Sequence, residues 1–182
     1  MKTLIATAAV TMIAAAAAAA APGLASAEGL APTTAYGSLG YSQARQEGVD
    51  LGAIQGRLGG RYGQHVGFEG ELGFGVDDDK TWVAGAPVNI KLKSQIAAYG
   101  VGYLPVSPKL DLFARVGYGT SNIKASAAGA SASDNADSWN YGAGAQYFLD
   151  GANGVRADYT RHDFTNDGGE ADVWSLGYVR KF

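Results

Sequence analysis

The chain has 182 residues, with 14 Lys and Arg against 17 Asp and Glu, so its formal net charge is −3. This charge gives too little positive surface for a nucleic-acid-binding protein, and 47% of hydrophobic residues is too much for a disordered chain. The absence of Cys excludes disulfides, thiolate metal sites and a lipid-modified cysteine. The 27 glycines are about twice the usual share, and the length is that of one domain.

The N-terminal segment has the three parts of a secretory signal peptide. Lys2 is followed by the apolar stretch Leu4–Ala21, and Ala25 and Ala27 are the small residues that flank a cleavage site. We therefore expect residues 1–27 to be a cleaved signal peptide. The alternative is an uncleaved anchor helix, because 18 residues nearly span a bilayer. The weak hydrophobicity of alanine argues against that alternative.

Residues 28–182 form the second predicted unit, in which apolar and polar residues alternate with a period of two. In the second of these segments Ile54, Leu58 and Tyr62 share one face, whereas Arg57 and Arg61 lie on the other. A tight turn then leads into the third, so the two are expected to form a hairpin. Eight strands are predicted in this way, near residues 36–43, 54–62, 68–76, 88–96, 112–119, 139–147, 155–162 and 174–182.

The connections between these strands alternate in length. The short connections are Gly63–His65, Pro105–Lys109 and Asp150–Asn153, and the long ones are Ala44–Asp50, Asp77–Pro87, Thr120–Ser138 and Asp163–Ala171. Long connections at one end and short turns at the other are typical of outer-membrane barrels, whose short turns face the periplasm.

The long connections differ from the strands in composition. The Ala/Ser/Gly run Ala125–Ser133 predicts a mobile loop. Acidic residues in the other long connections would make the outer rim negative: Asp77, Asp78, Asp79, Asp163, Asp167, Glu170 and Asp172. A contact with lipopolysaccharide through divalent cations is conceivable there, although solvated loop charge is the simpler interpretation.

Alternation alone leaves two orientations open, because a lipocalin-like barrel would place the apolar face inside. Aromatic residues near both ends of the apolar face favour the inverted arrangement, in which that face contacts lipid. Trp139 and Tyr147 are eight residues apart, about 26 Å along a strand and some 20 Å along the membrane normal after tilting. The predicted interface aromatics are Tyr62, Trp139, Tyr147, Trp174, Tyr178 and Phe182.

Backbone chemistry agrees with this orientation. In hydrocarbon every N–H and C=O group must be satisfied internally, so a sheet that spans the membrane must close on itself. Eight strands form the smallest common barrel, with an interior that side chains can fill. The predicted fold is an all-β, eight-stranded antiparallel up-and-down transmembrane β-barrel with meander topology.

The chain resembles the small OmpA/OmpX-type outer-membrane barrels of Gram-negative bacteria, a porin-like and opacity-like family. The resemblance covers residues 28–182 and depends on Tyr36–Tyr41, Phe68–Gly73, Phe113–Gly119 and the ending Ser175–Phe182. It implies an integral outer-membrane protein that reaches its membrane through the periplasm. The ending is similar to the family's barrel-assembly signal, carried here by Gly177, Tyr178 and Phe182, although Arg180 departs from the usual hydrophobic residue.

The same resemblance implies the partners. These are outer-membrane lipid and lipopolysaccharide, the barrel-assembly machinery and periplasmic chaperones during biogenesis, and a surface ligand of the loops whose identity the sequence does not give. Larger relatives append a peptidoglycan-binding domain after the barrel. No such domain follows Phe182, so a periplasmic tether is not expected.

The polar face carries the candidate functional residues. A charge buried without a partner in a narrow barrel costs several kcal/mol, so cation–carboxylate pairs are expected across the lumen. These pairs would either seal and stiffen the barrel or line a narrow channel for ions or small solutes. The predicted lumen network is Arg57, Arg61, Glu69, Glu71, Lys91, Lys93, Arg115, Arg156 and Asp158, with Lys181 on the same face.

Catalysis is not expected. His65 lies in a predicted turn, and His162 lies between Asp158 and Asp163, where a general base could be placed. No serine motif accompanies His162, whose nearby hydroxyls are threonines 160 and 165. We predict that His162 is a polar residue of the membrane interface and that the protein is not an enzyme. No motif for a cofactor or a metal ion is present in the sequence.

Overall fold

The structure, a computed structural model, describes residues 33–46, 49–83, 86–127, 130–165 and 169–182. For residues 49, 78–83, 86–91, 125–127 and 130–133 it describes the backbone only. The predicted signal peptide, with Ala25 and Ala27, lies outside the described residues. Within the described ranges no helix is long and apolar enough to cross a membrane.

The regular structure of these ranges consists of β-strands. They are β1 (Thr34–Gln46), β2 (Val49–Tyr62), β3 (Val66–Gly75), β4 (Asp78–Val83), β5 (Ala86–Ser107), β6 (Leu110–Ala127), β7 (Ala130–Phe148), β8 (Asn153–Phe164) and β9 (Glu170–Lys181).

Eight of these strands form a closed ring. The strand order is β3-β2-β1-β9-β8-β7-β6-β5-β4, and antiparallel pairing of β3 with β5 completes the barrel. β4 pairs only with the first part of β5 and is not a stave of the ring. The predicted eight-stranded antiparallel meander is therefore confirmed. β4 was not predicted as a strand, because its residues were assigned to the long connection Asp77–Pro87.

The side chains confirm the inverted orientation. Large apolar residues such as Leu72 and Leu176 are exposed on the outer surface, 44% and 65% respectively. On the inner surface Glu71 is 0% exposed and Arg156 1% exposed. Each strand of the ring pairs with a neighbouring strand on both sides. The outer surface can therefore face hydrocarbon without unpaired backbone groups along the ring.

The two ends of the barrel differ as predicted, but the long connections are mostly strand. β6 and β7 remain paired up to Ala127 and Ala130, so the connection predicted over Thr120–Ser138, with its loop Ala125–Ser133, is largely a hairpin. Small residues such as Ala, Ser and Gly give no apolar–polar contrast, so the sequence contains no alternation there although the backbone pairing continues. β4 and the long ends of β5, β6 and β7 form a sheet that extends beyond the ring.

The short turns lie at the opposite, periplasmic end. Gly63 and Gly151 adopt the positive φ values of 63° and 83° that tight turns need. In the turn between β7 and β8, Asp150 accepts hydrogen bonds from the backbone N–H groups of Ala152 and Asn153. These bonds hold the pKa of the Asp150 carboxyl below its usual value, the bond from the Asn153 backbone contributing most.

One predicted lumen residue lies elsewhere. Lys93 is exposed, whereas its neighbour Leu92 is buried, which is the reverse of the predicted phase. The register between β5 and β6 shifts between Leu92 and Ser94, and a bulge of this kind moves the following side chains to the other face. Gln95 and Tyr99 then follow the inward phase. The side chain of Lys91, the other predicted lysine of this strand, lies outside the described side chains.

Candidate functional site

The centre of the lumen contains a compact cluster of paired charges. The Arg57 Nε donates to Glu71 Oε2 at 2.8 Å, and its two terminal nitrogens donate to both oxygens of Asp158 at 2.8 and 3.0 Å. Arg115 Nη1 also donates to Glu71 Oε2 at 2.8 Å, and Arg115 Nη2 donates to Asp158 Oδ1 at 3.0 Å. Two arginines therefore share two carboxylates across the barrel.

A third arginine completes the cluster on the periplasmic side. Arg156 donates to both oxygens of Glu69 at 2.5 and 3.2 Å, and Glu69 also accepts from Arg115 Nη1 at 3.1 Å. Three arginines thus meet three carboxylates, so the central cluster is neutral. The desolvation of such charges is compensated only when the geometry is good and the remaining lone pairs are satisfied. Here the forked arginine donors supply that geometry.

Every strand of the ring contributes to this hydrogen-bonded network. The contributing residues, one or more from each strand, are Tyr36, Arg57, Glu69, Glu71, Tyr99, Arg115, Asn140, Arg156, Asp158 and Ser175. The sequence predicted the six charged members. The hydroxyl and amide members were not predicted as part of the network, although Asn140 and Ser175 lie on the polar faces of the predicted strands.

A chain of neutral groups links the cluster to the extracellular half of the lumen. Ser138 Oγ donates to Asn140 Oδ1 at 2.7 Å, Asn140 Nδ2 donates to the Tyr99 hydroxyl at 3.2 Å, and that hydroxyl donates to Glu71 Oε1 at 3.2 Å. Thr160 accepts from Arg115 at 2.6 and 3.0 Å. Buried polar atoms are thereby satisfied well above the central charges.

The periplasmic half of the lumen holds a second charged group. Arg61 Nη1 donates to Asp111 Oδ2 at 2.8 Å, and Lys181 Nζ lies 3.9 Å from the same oxygen. The Arg61 guanidinium also lies 4.3 Å from the ring centre of Tyr103, and Lys181 Nζ lies 3.6 Å from that of Phe148. The faces of the Tyr103 and Phe148 rings thus stabilise the Arg61 and Lys181 cations at the periplasmic end of the lumen.

A small cavity lies beside the central cluster. A cavity of about 10 Å³ lies between β1, β2, β8 and β9, next to the Arg57 and Arg156 side chains. This volume is close to the minimum that holds one water molecule. Two buried polar atoms of the periplasmic half, Gln146 Oε1 and Arg156 Nε, have no hydrogen-bond partner among the described residues.

The two histidines lie far apart in the barrel. His65 is exposed in the turn between β2 and β3. His162 is 3% exposed and faces the lumen, where its ring centre lies 6.3 Å from that of Phe164. The prediction that His162 belongs to the membrane interface is therefore wrong, because its position on β8 has the inward phase of Asp158. Among the residues that the structure describes, no three His, Asp or Glu side chains are grouped to hold a metal ion.

The six predicted interface aromatics all face outward. Trp139 and Trp174 lie near the extracellular end, where their rings contact Tyr118 and Tyr159 at centroid distances of 5.3 and 4.9 Å. The others lie near the short turns, namely Tyr62, Tyr147, Tyr178 and Phe182. Aromatic girdles of membrane barrels border the apolar band at these two levels, and the role of the six residues at the membrane interface stays a prediction.

Exposed charges lie beyond the extracellular girdle. Arg45 Nε donates to Asp50 at 2.9 Å, and Arg161 pairs with Glu170 and, at 3.5 Å, with Asp172. These pairs lie outside the ring and are accessible to solvent. Of the acidic residues predicted for this rim, the side chains of Asp78, Asp79 and Asp167 lie outside the described side chains.

Comparison with known proteins decides the family. Residues 5–182 match the family model described as outer membrane protein beta-barrel domain. The chain belongs to this family. It is accordingly an integral β-barrel protein of the bacterial outer membrane. No curated protein matches the chain at a significant level.

Solved structures share the fold at low sequence identity. Ail of Yersinia pestis, solved with the heparin analogue sucrose octasulfate, is 20% identical with a TM-score of 0.60 over 82% of this chain and 98% of that one. The N-terminal barrel of Pseudomonas aeruginosa OprF is 15% identical with a TM-score of 0.58, covering 83% and 98%. Neisserial surface protein A is 10% identical with a TM-score of 0.61, covering 82% and 96%. Each likeness shows the fold alone.

Proposed function

We propose that this barrel is a non-enzymatic, sealed scaffold that stiffens the outer membrane and presents its extended strands at the cell surface. The observation that carries the proposal is the neutral cluster of Arg57, Arg115 and Arg156 with Glu69, Glu71 and Asp158. Its side chains span the lumen and bond to each other from opposite walls. A continuous water path is the requirement of a porin, and a packed lumen of an eight-stranded barrel does not supply one.

The surface role rests on the extracellular sheet of β4 and the long ends of β5, β6 and β7. Among the described residues β7 pairs with β8 only from Ser138 onward, and Asp137 accepts a hydrogen bond from the Thr165 backbone at 2.8 Å. Residues 130–136 therefore pair with β6 alone in the described part of the chain, and β4 pairs there with β5 alone. Unpaired strand edges that project from a rigid barrel are suited to contact extended segments of other proteins.

The alternative function is a narrow channel for ions or small solutes. A planar-bilayer experiment separates the two, because a sealed barrel gives no steady conductance at any voltage that the bilayer tolerates. Arg115→Ala combined with Glu71→Ala removes one cation and one anion and should open a measurable path. The matched control is Arg161→Ala, which removes an exposed arginine outside the ring. Steady conductance of the unmodified protein would refute the sealed scaffold.

The surface role is tested by shortening the β6–β7 hairpin. Deletion of residues 124–133 removes the ends of β6 and β7, which pair with each other and, at residues 124–126, with the first part of β5. The barrel should remain folded, as judged by its heat-modifiable mobility on gels. Adhesion of bacteria that display the protein to an epithelial monolayer should decrease. Adhesion equal to that of the intact protein would remove the surface role and leave the scaffold.

The biogenesis steps belong to the same proposal. Residues 1–27 direct the chain to the periplasm, and Gly177, Tyr178 and Phe182 are recognised by the assembly machinery. The position of β9 supports this assignment, because Phe182 N–H donates to the Ala35 carbonyl at 2.8 Å and joins the last strand to the first. Cleavage is tested by N-terminal sequencing of the protein purified from outer membranes, with Glu28 as the expected first residue.

A further inference from the structure

Arg180 is a charged residue on the outer surface of the barrel. It lies on β9 with the outward phase of Tyr178 and Phe182, and its side chain is exposed. Its neighbours in register are Asn153 on β8 and Gly37 on β1. Asn153 follows the turn between β7 and β8, so Arg180 lies at the periplasmic end.

The ion-pairing of Arg180 differs from that of the other arginines. The six arginines at positions 45, 57, 61, 115, 156 and 161 each lie within ion-pair distance of a carboxylate. Within the described ranges no carboxylate lies at that distance from Arg180. The Arg180 guanidinium lies 5.9 Å from the centre of the Phe182 ring. Its five N–H donors therefore face outward without an anionic partner from the described chain.

The depth of Arg180 in the membrane determines which part of a lipid its side chain can contact. Tyr178 and Phe182 flank it on the same face of β9, and successive outward residues of a strand are about 7 Å apart. Both rings belong to the periplasmic girdle, which lies at the level of the lipid head groups. A long arginine side chain at this level extends towards the head groups and keeps its charge out of the hydrocarbon.

We infer that Arg180 binds the phosphate of an anionic phospholipid in the periplasmic leaflet of the outer membrane. The guanidinium fork matches two phosphate oxygens, and the Phe182 ring limits its orientation. Gly37 presents no side chain of its own on the β1 side, where the Leu58 side chain and the Phe182 ring lie beside it. The site is separate from the lumen and from the extracellular sheet, so it does not depend on the proposed function.

The test is native mass spectrometry of the full-length folded protein in detergent with added dioleoyl phosphatidylglycerol. The unmodified protein should bind the first phosphatidylglycerol molecule about fivefold more tightly than Arg180→Leu does, which is the size expected of one basic residue at a membrane surface. The difference should shrink at high salt, because this exposed charge is screened. Arg180→Lys keeps the charge without the fork and should fall between the two.

Arg45→Leu is the matched control, because it removes an outward arginine that is already paired with Asp50. It should bind the lipid like the unmodified protein. Equal binding by Arg180→Leu and the unmodified protein would overturn the inference, as would an equal loss in Arg45→Leu. Displacement of the lipid by inorganic phosphate at constant ionic strength would show a free-anion site and overturn the lipid assignment.

A role in assembly alone gives a different result. Leucine restores the hydrophobic residue usual at this position, so Arg180→Leu is expected to fold, and its heat-modifiable mobility checks this. If Arg180→Leu changes only the rate of folding into vesicles and not the binding of phosphatidylglycerol, the phospholipid site is refuted.

Discussion

The Arg57 guanidinium and the Asp158 carboxylate are 101 residues apart in the chain and meet in the lumen through two hydrogen bonds of 2.8 and 3.0 Å. Arg57 lies on β2 and Asp158 on β8, so β1 and β9 separate them along the wall. The pair is therefore made across the interior rather than between neighbouring strands. Both side chains are almost completely buried.

Removal of one partner of this pair should destabilise the barrel strongly. In Arg57→Ala the carboxylates of Glu71 and Asp158 each lose a buried cation, and an uncompensated buried charge costs about 3–5 kcal/mol. Urea-induced unfolding in lipid vesicles measures the free energy of unfolding. The control Arg161→Ala removes a pair that is open to solvent and should change it little. Equal effects of the two substitutions would contradict the role of the buried cluster.

The Tyr99 hydroxyl should contribute measurably to stability. It accepts a hydrogen bond from Asn140 and donates one to Glu71, and Tyr99→Phe leaves both groups without this partner. We expect a loss of about 1–3 kcal/mol in the free energy of unfolding. Tyr147→Phe is the control, because its ring faces lipid. A Tyr99→Phe barrel as stable as the unmodified one would show that water replaces the hydroxyl at no cost.

The seam between the first and last strands should not tolerate a side chain at Gly40. Gly40 and Gly177 are partners in register, and a Cβ at Gly40 would lie 2.5 Å from the Leu176 carbonyl oxygen and 2.7 Å from the Gly177 Cα. These are backbone atoms that cannot move aside without disturbing the ladder. Gly40→Ala should therefore lower the yield of heat-modifiable barrel. Gly56→Ala is the control, because a Cβ there meets no atom within 4 Å and should be accepted.

The outward orientation of the apolar face is tested by labelling. The chain has no Cys, so Leu72→Cys and Leu176→Cys each supply a single thiol. In intact vesicles a charged maleimide should not modify either variant, because both positions face hydrocarbon. Lys109→Cys, in a short turn, should react once the periplasmic side is accessible. Rapid labelling at Leu72, together with a monomer that needs no detergent, would refute the membrane barrel.

The sequence predicts the ring well because lipid outside and charges inside impose a strict period of two. It fails where that contrast is missing. The hairpin ends of β6 and β7 consist of small residues, and β4 lies in a run whose acidic residues indicated a loop. It also fails where the register slips, since one bulge at Leu92 reverses the phase and carries Lys93 to the exposed face.

The partners inside the lumen were predicted only in part for a geometric reason. Arg57 and Glu71 are partners in register on neighbouring strands, so a hairpin prediction already brings them together. Arg156 and Glu69 lie on β8 and β3, and their contact depends on the diameter of the closed ring. His162 was misplaced because its position near the end of a strand suggested the membrane interface, whereas its parity with Asp158 determines its direction.

Since the polar network includes at least one side chain from each of the eight staves, it is completed only when the last stave meets the first. A partly inserted sheet would contain desolvated arginines and carboxylates that are not yet paired with each other. No stable intermediate is therefore expected between the unfolded chain and the closed barrel. We expect its insertion and its denaturation to be cooperative, each occurring as a single step rather than hairpin by hairpin.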